Sequence, residues 1–160
     1  MRLGTISREG KATLIAGRGT DILPLSELYR SAGLGESPAT MNDLIERGEA
    51  ELDRARQALD KGNGTPLPEE AVDWLPPQPR PSKIIGVAFN NMGIRKSAHR
   101  DPGVPNFFLK APSCLTGHKK PVIIEEHYGD TIPELELAAI IGRRCSKIAV
   151  EEARDAIFGY

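Results

Sequence analysis

The sequence contains little cysteine and little histidine. Only two of its 160 residues are cysteines and three are histidines. Cys114 and Cys145 lie outside any Cys-x-x-C pair. We therefore expect reduced thiols and no disulfide framework.

Long apolar runs and a charge excess are also absent. The formal net charge is -1, with 27% charged and 39% hydrophobic residues, which argues against disorder and against a general nucleic-acid or membrane-surface binder. No window approaches eighteen apolar residues, and the first residues lead into no apolar signal core. These features predict a cytoplasmic protein without a nucleic-acid or membrane partner.

A proline-rich stretch divides the chain. Four of the seven residues 75–81 are proline, which makes a stiff connector that cannot continue a helix or pair inside a sheet. We therefore predict an accessory domain at residues 1–74, a linker at 75–82 and a second domain that starts at residue 83.

The accessory domain has clear local signals. Its periodicity predicts strands at residues 2–7 and 11–16, joined as a hairpin, and helices at residues 25–32 and 41–61. Thr40 and Asp43 are spaced as a reciprocal helix cap, and Gly48 is expected to bend or split the longer helix. No group of catalytic type occurs here, so we expect a domain that packs against or positions another part.

The second domain is predicted to be richer in strands. Apolar runs predict a buried strand at residues 83–89, further strands at 106–110, 121–124 and 134–142, and a helix at 146–158. Residues 90–105 are polar and aperiodic, so we expect a long loop. Loops of this length are often lids or binding loops.

Two carboxylates stand at the start of the strand predicted at 134–142. Glu134 and Glu136 would share one face, because strand side chains alternate. Such a pair suits a hard divalent cation, which prefers oxygen ligands. The alternative is the solvated acidic face of an edge strand.

Taken in order, these pieces resemble the fumarylacetoacetate hydrolase family. The resemblance rests on Leu75-Pro76-Pro77 and Pro79-Arg80-Pro81 before Lys83-Ile84-Ile85-Gly86-Val87-Ala88, on Phe107-Phe108-Leu109-Lys110-Ala111-Pro112-Ser113, on Glu134-Leu135-Glu136-Leu137-Ala138 with Ile141-Gly142-Arg143-Arg144, and on Val150-Glu151-Glu152-Ala153 with Phe158-Gly159-Tyr160.

The resemblance implies an α+β protein, with a small α/β accessory domain before a mainly β core that forms a sandwich-like roll. It also implies a metal-dependent site for dicarbonyl acids and usually a homodimer. The family's activities are hydrolytic carbon–carbon cleavage, decarboxylation and tautomerisation. In each of them Mg²⁺ or Mn²⁺, with Ca²⁺ also conceivable, binds the 2-oxo acid and stabilises an enolate.

Four residues gain roles from the resemblance. Glu134 and Glu136 are similar to two of the metal carboxylates, and Lys110 resembles the lysine that ends the family's Phe-Leu-Lys strand. Ser113 could donate a hydrogen bond to a substrate oxygen. The alternatives are a surface lysine at a strand end and a turn-forming serine beside Pro112.

The loop at 90–105 departs from the family. Many hydrolytic members carry a histidine there that activates water, but the corresponding position falls near Ile94. His99 is the substitute base, or else an exposed lid histidine. Arg95, Lys96 and Arg100 are candidates for binding substrate carboxylates, or else form a solvated basic loop. The missing base favours tautomerisation or decarboxylation over hydrolysis.

The second departure is at Tyr160, beyond which family members supply a third metal carboxylate. We therefore expect a core that is incomplete at its carboxyl end. The chain would then be a piece of a longer protein, a chain completed by a second copy or another polypeptide, or a remnant without activity. The rival to an enzyme is a non-catalytic binding or scaffold protein built on the front half of this fold.

Overall fold

The structure is a computed structural model that describes residues 1–97, 99 and 101–160, without the side chain of Ile94. The chain divides into two compact units. One comprises Met1–Gln78 and Gly117–Tyr160, and the other comprises Pro79–Thr116. Helices and strands together make an α+β protein, as predicted.

The first unit contains a four-stranded antiparallel sheet with the order β3-β2-β1-β4. The strands are β1 Arg2–Arg8, β2 Lys11–Arg18, β3 Asp21–Pro24 and β4 Asp73–Trp74. Glu9 and Gly10 form the turn between β1 and β2 with φ values of 53° and 75°. The predicted hairpin is therefore confirmed.

Three helices follow the hairpin. They are α1 Leu25–Ser31, α2 Met41–Glu46 and α3 Gly48–Lys61. The Asp43 amide donates to Thr40 Oγ1 (3.1 Å) and the Thr40 amide donates to Asp43 Oδ2 (3.0 Å), so the predicted reciprocal cap is present. Gly48 has a φ of 70°, which separates α2 from α3 as predicted.

The sheet is covered on both faces. Leu14 and Ala16 of β2 pack with the buried side chains of α1 and α3. Ile15, which points to the opposite face, forms a smaller cluster with Ile6 and Ile22. The core of the first unit is therefore built mostly from its first 60 residues.

A buried carboxylate joins α1 to α3. Glu51 is 5% exposed and its Oε1 accepts a hydrogen bond from the Tyr29 hydroxyl (2.7 Å). Arg54 Nη1 lies 3.1 Å from Oε1 and 3.0 Å from Oε2, and Arg47 Nη1 lies 3.5 Å from Oε2. Burial, with the bond to Glu51, raises the pKa of the Tyr29 phenol.

Residues 117–160 contain little regular structure. The strands and helices here are a two-stranded pair, β7 Ile140–Ile141 with β8 Ile157–Gly159, and the 3₁₀ turns Glu126–Tyr128, Val150–Glu152 and Arg154–Ala156. The segment contacts the amino-terminal part through an ion pair between Lys120 and Asp73 and through Phe158, which packs against the larger core cluster.

Three predictions for this segment are wrong. Residues 121–124 join no sheet of the described chain, and the strand predicted at 134–142 is reduced to Ile140–Ile141. The helix predicted at 146–158 is two 3₁₀ turns and a strand. A strand requires a neighbour for its backbone hydrogen bonds, and the described residues provide none at 121–124 or 134–139.

The second unit is a hairpin with a short helix in its connection. β5 Ile84–Ala88 pairs antiparallel with β6 Asn106–Lys110, and α4 Met92–Ser97 lies between them. Both predicted strands are confirmed. The prediction of a loop without helix is wrong because of α4, and β5 is not fully buried, since Ile85 is 53% exposed.

None of the helices in the described part of the chain has the length and apolar character needed to cross a membrane.

Replacing Glu51 tests the buried link between α1 and α3. We expect Glu51→Ala to lower the free energy of unfolding by about 3 kcal/mol, because the Tyr29 hydroxyl and Arg54 lose a buried partner. Exposed Glu49 on the same helix is the matched control, and Glu49→Ala should cost less than about 1 kcal/mol. Urea denaturation measures both, and equal effects would contradict the assignment.

Acid should remove the contribution of Glu27 to the free energy of unfolding. Its Oε2 accepts from the Thr65 amide (2.8 Å) and its Oε1 from Arg8 (3.2 Å). The bond from the Thr65 amide, with the Arg8 charge, lowers the pKa of Glu27. A lowered folded-state pKa gives stability that is present above the unfolded-state pKa and lost as pH falls through the folded-state value.

We therefore expect Glu27→Gln to lower the free energy of unfolding by about 0.5 to 1 kcal/mol at neutral pH and to have no effect near pH 3. Urea midpoints at the two pH values measure the difference. Glu36→Gln, at an exposed carboxylate, is the control. A Glu27→Gln deficit that persists in acid would show that the ionised form is not what stabilises the fold.

Candidate functional site

The connection between β5 and β6 turns sharply and begins α4. Phe89, just after β5, has a left-handed φ of 57°. Asn91 Oδ1 then accepts a hydrogen bond from the Gly93 amide (2.8 Å), and the Arg95 amide donates to the Asn91 carbonyl (3.0 Å). Asn91 therefore caps α4, as asparagine does at many helix starts.

Arg95 is held from two sides. Its Nε donates to the Phe89 carbonyl, and its Nη1 lies 3.4 Å from Asp101 Oδ1. The same Asp101 oxygen accepts from the Gly103 amide (3.1 Å), which fixes the carboxylate in a turn. The Arg95 side chain is 30% exposed, so the guanidinium is both oriented and accessible.

An open cleft of about 410 Å³ lies beside α4, a size within the range of small-molecule sites. It is lined by Met92, Arg95, Lys96, His99 and Asp101. Three of these residues can carry a positive charge and one carries a negative charge. The cleft is therefore suited to a small anion.

His99 stands where α4 has ended. Its amide donates to the Lys96 carbonyl (3.3 Å), and its φ is 48°. The side chain is exposed, and within residues 79–97, 99 and 101–116 no hydrogen bond orients its imidazole. A general base is usually oriented by a third group, so this geometry suits an exposed cleft histidine better than a fixed base.

The cleft brings together only some of the predicted residues. Arg95 and His99 line it, whereas Lys110 and Ser113 do not. Lys110 is the last residue of β6, with its Nζ 5.8 Å from the centre of the Phe108 ring, and Ser113 is exposed in the 3₁₀ turn Pro112–Cys114. Arg100 lies outside the described residues.

Glu134 and Glu136 belong to the first unit, in a segment without regular structure. Both are exposed, and so are the flanking Leu135 (102%) and Leu137 (81%). Carboxylate oxygens are the right donors for Mg²⁺ or Mn²⁺. Among the described residues, however, no group of three or more His, Cys, Asp or Glu side chains is placed to hold a metal ion. Two suitable donors are thus present without a formed site.

Asp101 was missed by the sequence analysis. Its signal was the Asp-Pro-Gly run at 101–103, which is typical of a turn. The helix α4 was missed as well, although Asn91 followed by Met92 is a helix-start signal. Together these two features bring Arg95 and His99 to one cleft.

The chain is similar in sequence to proteins of one known family. The family model described as "Fumarylacetoacetate (FAA) hydrolase C-terminal" matches residues 83–160. Oxaloacetate tautomerase fahd2, mitochondrial, of Xenopus laevis is 32% identical over 124 residues, which are 77% of this chain and 39% of the relative.

Two further relatives also match this chain in sequence. Oxaloacetate tautomerase FAHD2A, mitochondrial, of Homo sapiens has the same identity and coverage, 32% over 77% of this chain and 39% of the relative. An uncharacterised protein of Pyrococcus abyssi is 38% identical over 82 residues, which are 51% of this chain and 36% of that protein. The chain thus spans well under half the length of the curated relatives it matches. By these matches the chain belongs to the fumarylacetoacetate hydrolase family.

Proposed function

We propose that this chain is part of an enzyme that interconverts the enol and keto forms of a small 2-oxo acid. The observation that carries the proposal is that the position at which many hydrolytic members of the family carry a histidine falls near Ile94 on α4. The relatives named oxaloacetate tautomerase support the same reaction class.

Tautomerisation fits the described residues better than carbon–carbon hydrolysis. Hydrolysis needs a water molecule deprotonated by a positioned base. His99, which lines the cleft, is exposed and lacks an orienting partner among the described residues. Enol–keto exchange needs a bound, oriented oxo acid and a proton carrier, and solvent or an exposed imidazole can supply the proton. Decarboxylation also passes through an enolate, the one that forms when the C–C bond to the departing CO₂ breaks, and is the second candidate reaction.

The metal ligands we propose are Glu134 and Glu136. Both carboxylates are exposed and neither forms an ion pair with another described residue, so a cation can reach them. A bound Mg²⁺ or Mn²⁺ would supply a Lewis acid for the 2-oxo acid group. Further ligands would come from outside the described residues or from a second copy or complementing chain.

Three other side chains have proposed roles on the substrate. Arg95 would bind a carboxylate of the oxo acid, Lys110 would act near the reacting oxygen, and Ser113 would donate a hydrogen bond to a substrate oxygen. His99 would exchange a proton with the substrate carbon. His99→Asn should therefore lower the rate of the reaction without weakening substrate binding.

A non-catalytic scaffold is the rival function. It is favoured by the fact that the described residues contain no three-ligand metal group. Thermal stability separates the two functions, because a ligand that binds the folded state raises the melting temperature with its concentration. The enzyme should gain stability with added Mn²⁺, and a scaffold should not respond.

Replacing Glu134 tests the enzyme directly. In the presence of Mg²⁺ or Mn²⁺ the purified protein should speed the decay of enol-oxaloacetate absorbance. We expect Glu134→Gln to reduce this rate by more than about 100-fold, because the cation loses an anionic ligand. The matched control is Glu126→Gln, at an exposed carboxylate of the same unit, which should keep the wild-type rate.

Two results would count against the proposal. If the wild-type protein does not speed the decay of enol-oxaloacetate, the proposed tautomerase activity is refuted. A Glu134→Gln variant as active as Glu126→Gln would remove Glu134 from the metal site while leaving the reaction class in place.

A further inference from the structure

We infer that Asn63 is a site of spontaneous covalent modification, at which the side-chain amide becomes an acid through a ring formed with Gly64. The isoaspartate product weakens the connection between the end of α3 and α1. The site lies in the first unit and is independent of the proposed function.

The residue after each asparagine distinguishes Asn63 from the others. The chain contains five asparagines, and Asn63 is the one that precedes a glycine. Because glycine has no Cβ, its backbone nitrogen can approach a neighbouring carbonyl carbon without steric hindrance. Asparagine is a thermolabile residue in proteins. The sequence therefore places the most reactive asparagine just beyond α3.

The groups that would react are free in the structure. Asn63 is exposed and lies beyond the end of α3. Among the described residues, none forms a hydrogen bond with its side-chain amide or with the backbone nitrogen of Gly64. Asn42 and Asn91 differ, because the side-chain oxygen of each accepts a hydrogen bond. The Asn63 amide is therefore free to turn towards Gly64.

The first step closes a ring. The Gly64 backbone nitrogen gives its proton to hydroxide, and its electron pair attacks the side-chain carbonyl carbon of Asn63. As this carbon–nitrogen bond forms, the bond from the same carbon to Nδ2 breaks. Nδ2 leaves as ammonia after taking a proton from water, and a succinimide remains.

The second step opens the ring with water. Water adds to one of the two ring carbonyl carbons, and the bond from that carbon to the Gly64 nitrogen breaks, which restores the Gly64 N–H. Addition at the side-chain carbonyl carbon gives aspartate. Addition at the backbone carbonyl carbon gives isoaspartate. The sum is one water consumed and one ammonia released, without oxidation or reduction.

The isoaspartate product is incompatible with the contacts that hold this segment to α1. The Asn63 amide donates to Ser31 Oγ (2.7 Å), and the Asn63 carbonyl accepts from the Ser31 hydroxyl (2.7 Å). The Thr65 amide donates to Glu27 Oε2 (2.8 Å). Isoaspartate adds one carbon atom to the backbone and turns the former Asn63 carbonyl into a free carboxylate. The Ser31 and Glu27 contacts therefore cannot all be kept.

The same contacts oppose the reaction. Ring closure requires the backbone of Asn63 to rotate, and Ser31 holds both its amide and its carbonyl. Opening of this link therefore precedes modification, and local openings of this kind have their own free energy. Once isoaspartate has formed, the link cannot close as before.

Peptide mass mapping measures the modification. Trypsin does not cut before proline, so cleavage after Lys61 and Lys83 releases peptide 62–83, in which Asn63 is the single asparagine. After incubation in mildly alkaline buffer, this peptide should show the mass change from amide to acid. We expect Asn63 to convert at least about tenfold faster than each of the other asparagines.

Replacing Gly64 tests the ring. A Cβ at this position would lie 3.5 Å from Glu27 Cβ and 3.6 Å from Leu23 Cδ2, which are ordinary contacts, so Gly64→Ala should fold. It should slow the conversion at least about tenfold, because the Cβ hinders attack by the nitrogen. Gly159→Ala, where a Cβ meets no atom within 4 Å, is the matched control and should keep the wild-type rate.

Replacing Ser31 tests the opposition between the link and the reaction. Ser31→Ala should speed the conversion at least about threefold, because the backbone of Asn63 is released. Ser26→Ala, at an exposed serine of the same helix, should leave the rate unchanged. A slower conversion in Ser31→Ala would overturn the role given to Ser31.

Urea denaturation tests the consequence for the fold. The isoaspartate form, separated from unmodified protein by ion exchange, should unfold at a lower urea concentration than Asn63→Asp. That variant carries the same added charge without the extra backbone atom. Equal midpoints would overturn the weakened link, and no conversion at Asn63 or equal rates in wild type and Gly64→Ala would overturn the site itself.

Discussion

The buried hydrogen bond between the Tyr29 hydroxyl and the Glu51 carboxylate is the interaction on which the first unit most depends. It joins α1 to α3 through Tyr29, a member of the larger core cluster, and Arg54 Nη2 donates a further hydrogen bond to the Leu34 carbonyl. A carboxylate can be buried there only because the hydroxyl and the guanidinium satisfy it. Side chains of β2, α1 and α3 belong to the cluster that contains Tyr29, and Phe158 packs against that cluster.

Local signals explain how much of the fold the sequence could predict. The β1–β2 hairpin, the Thr40–Asp43 cap and the break at Gly48 each depend on residues a few positions apart, and all three are confirmed. The elements predicted at 121–124, 134–142 and 146–158 depend on distant partners, and there the predictions are wrong. An apolar run such as residues 121–124 can be identified from composition, but whether it pairs is decided by what lies beside it. The Tyr29–Glu51 bond, which spans 22 residues, has no local signal either.

The residues of the candidate site also divide into those with a local sequence signal and those whose placement depends on distant parts of the chain. Arg95 and His99 could be predicted to lie close together because one short segment carries both. The Asp-Pro-Gly run at 101–103 is a turn signal, but only the structure shows that Asp101 contacts Arg95. Glu134 and Glu136 keep their proposed role through donor chemistry and family membership, because the described residues give them no common strand face. Family membership therefore supports the proposed ligands, while a complete metal site would need donors beyond those that the described residues provide.

The proposed enzyme activity depends on a divalent cation held by Glu134 and Glu136. Native mass spectrometry of the purified protein with Mn²⁺ tests it most directly, because bound ions, copies of the chain and any companion polypeptide appear in one spectrum. We expect one Mn²⁺ per chain in wild-type protein and none in the Glu134→Gln, Glu136→Gln double variant. Equal Mn²⁺ retention by both proteins, or none in either, would contradict it.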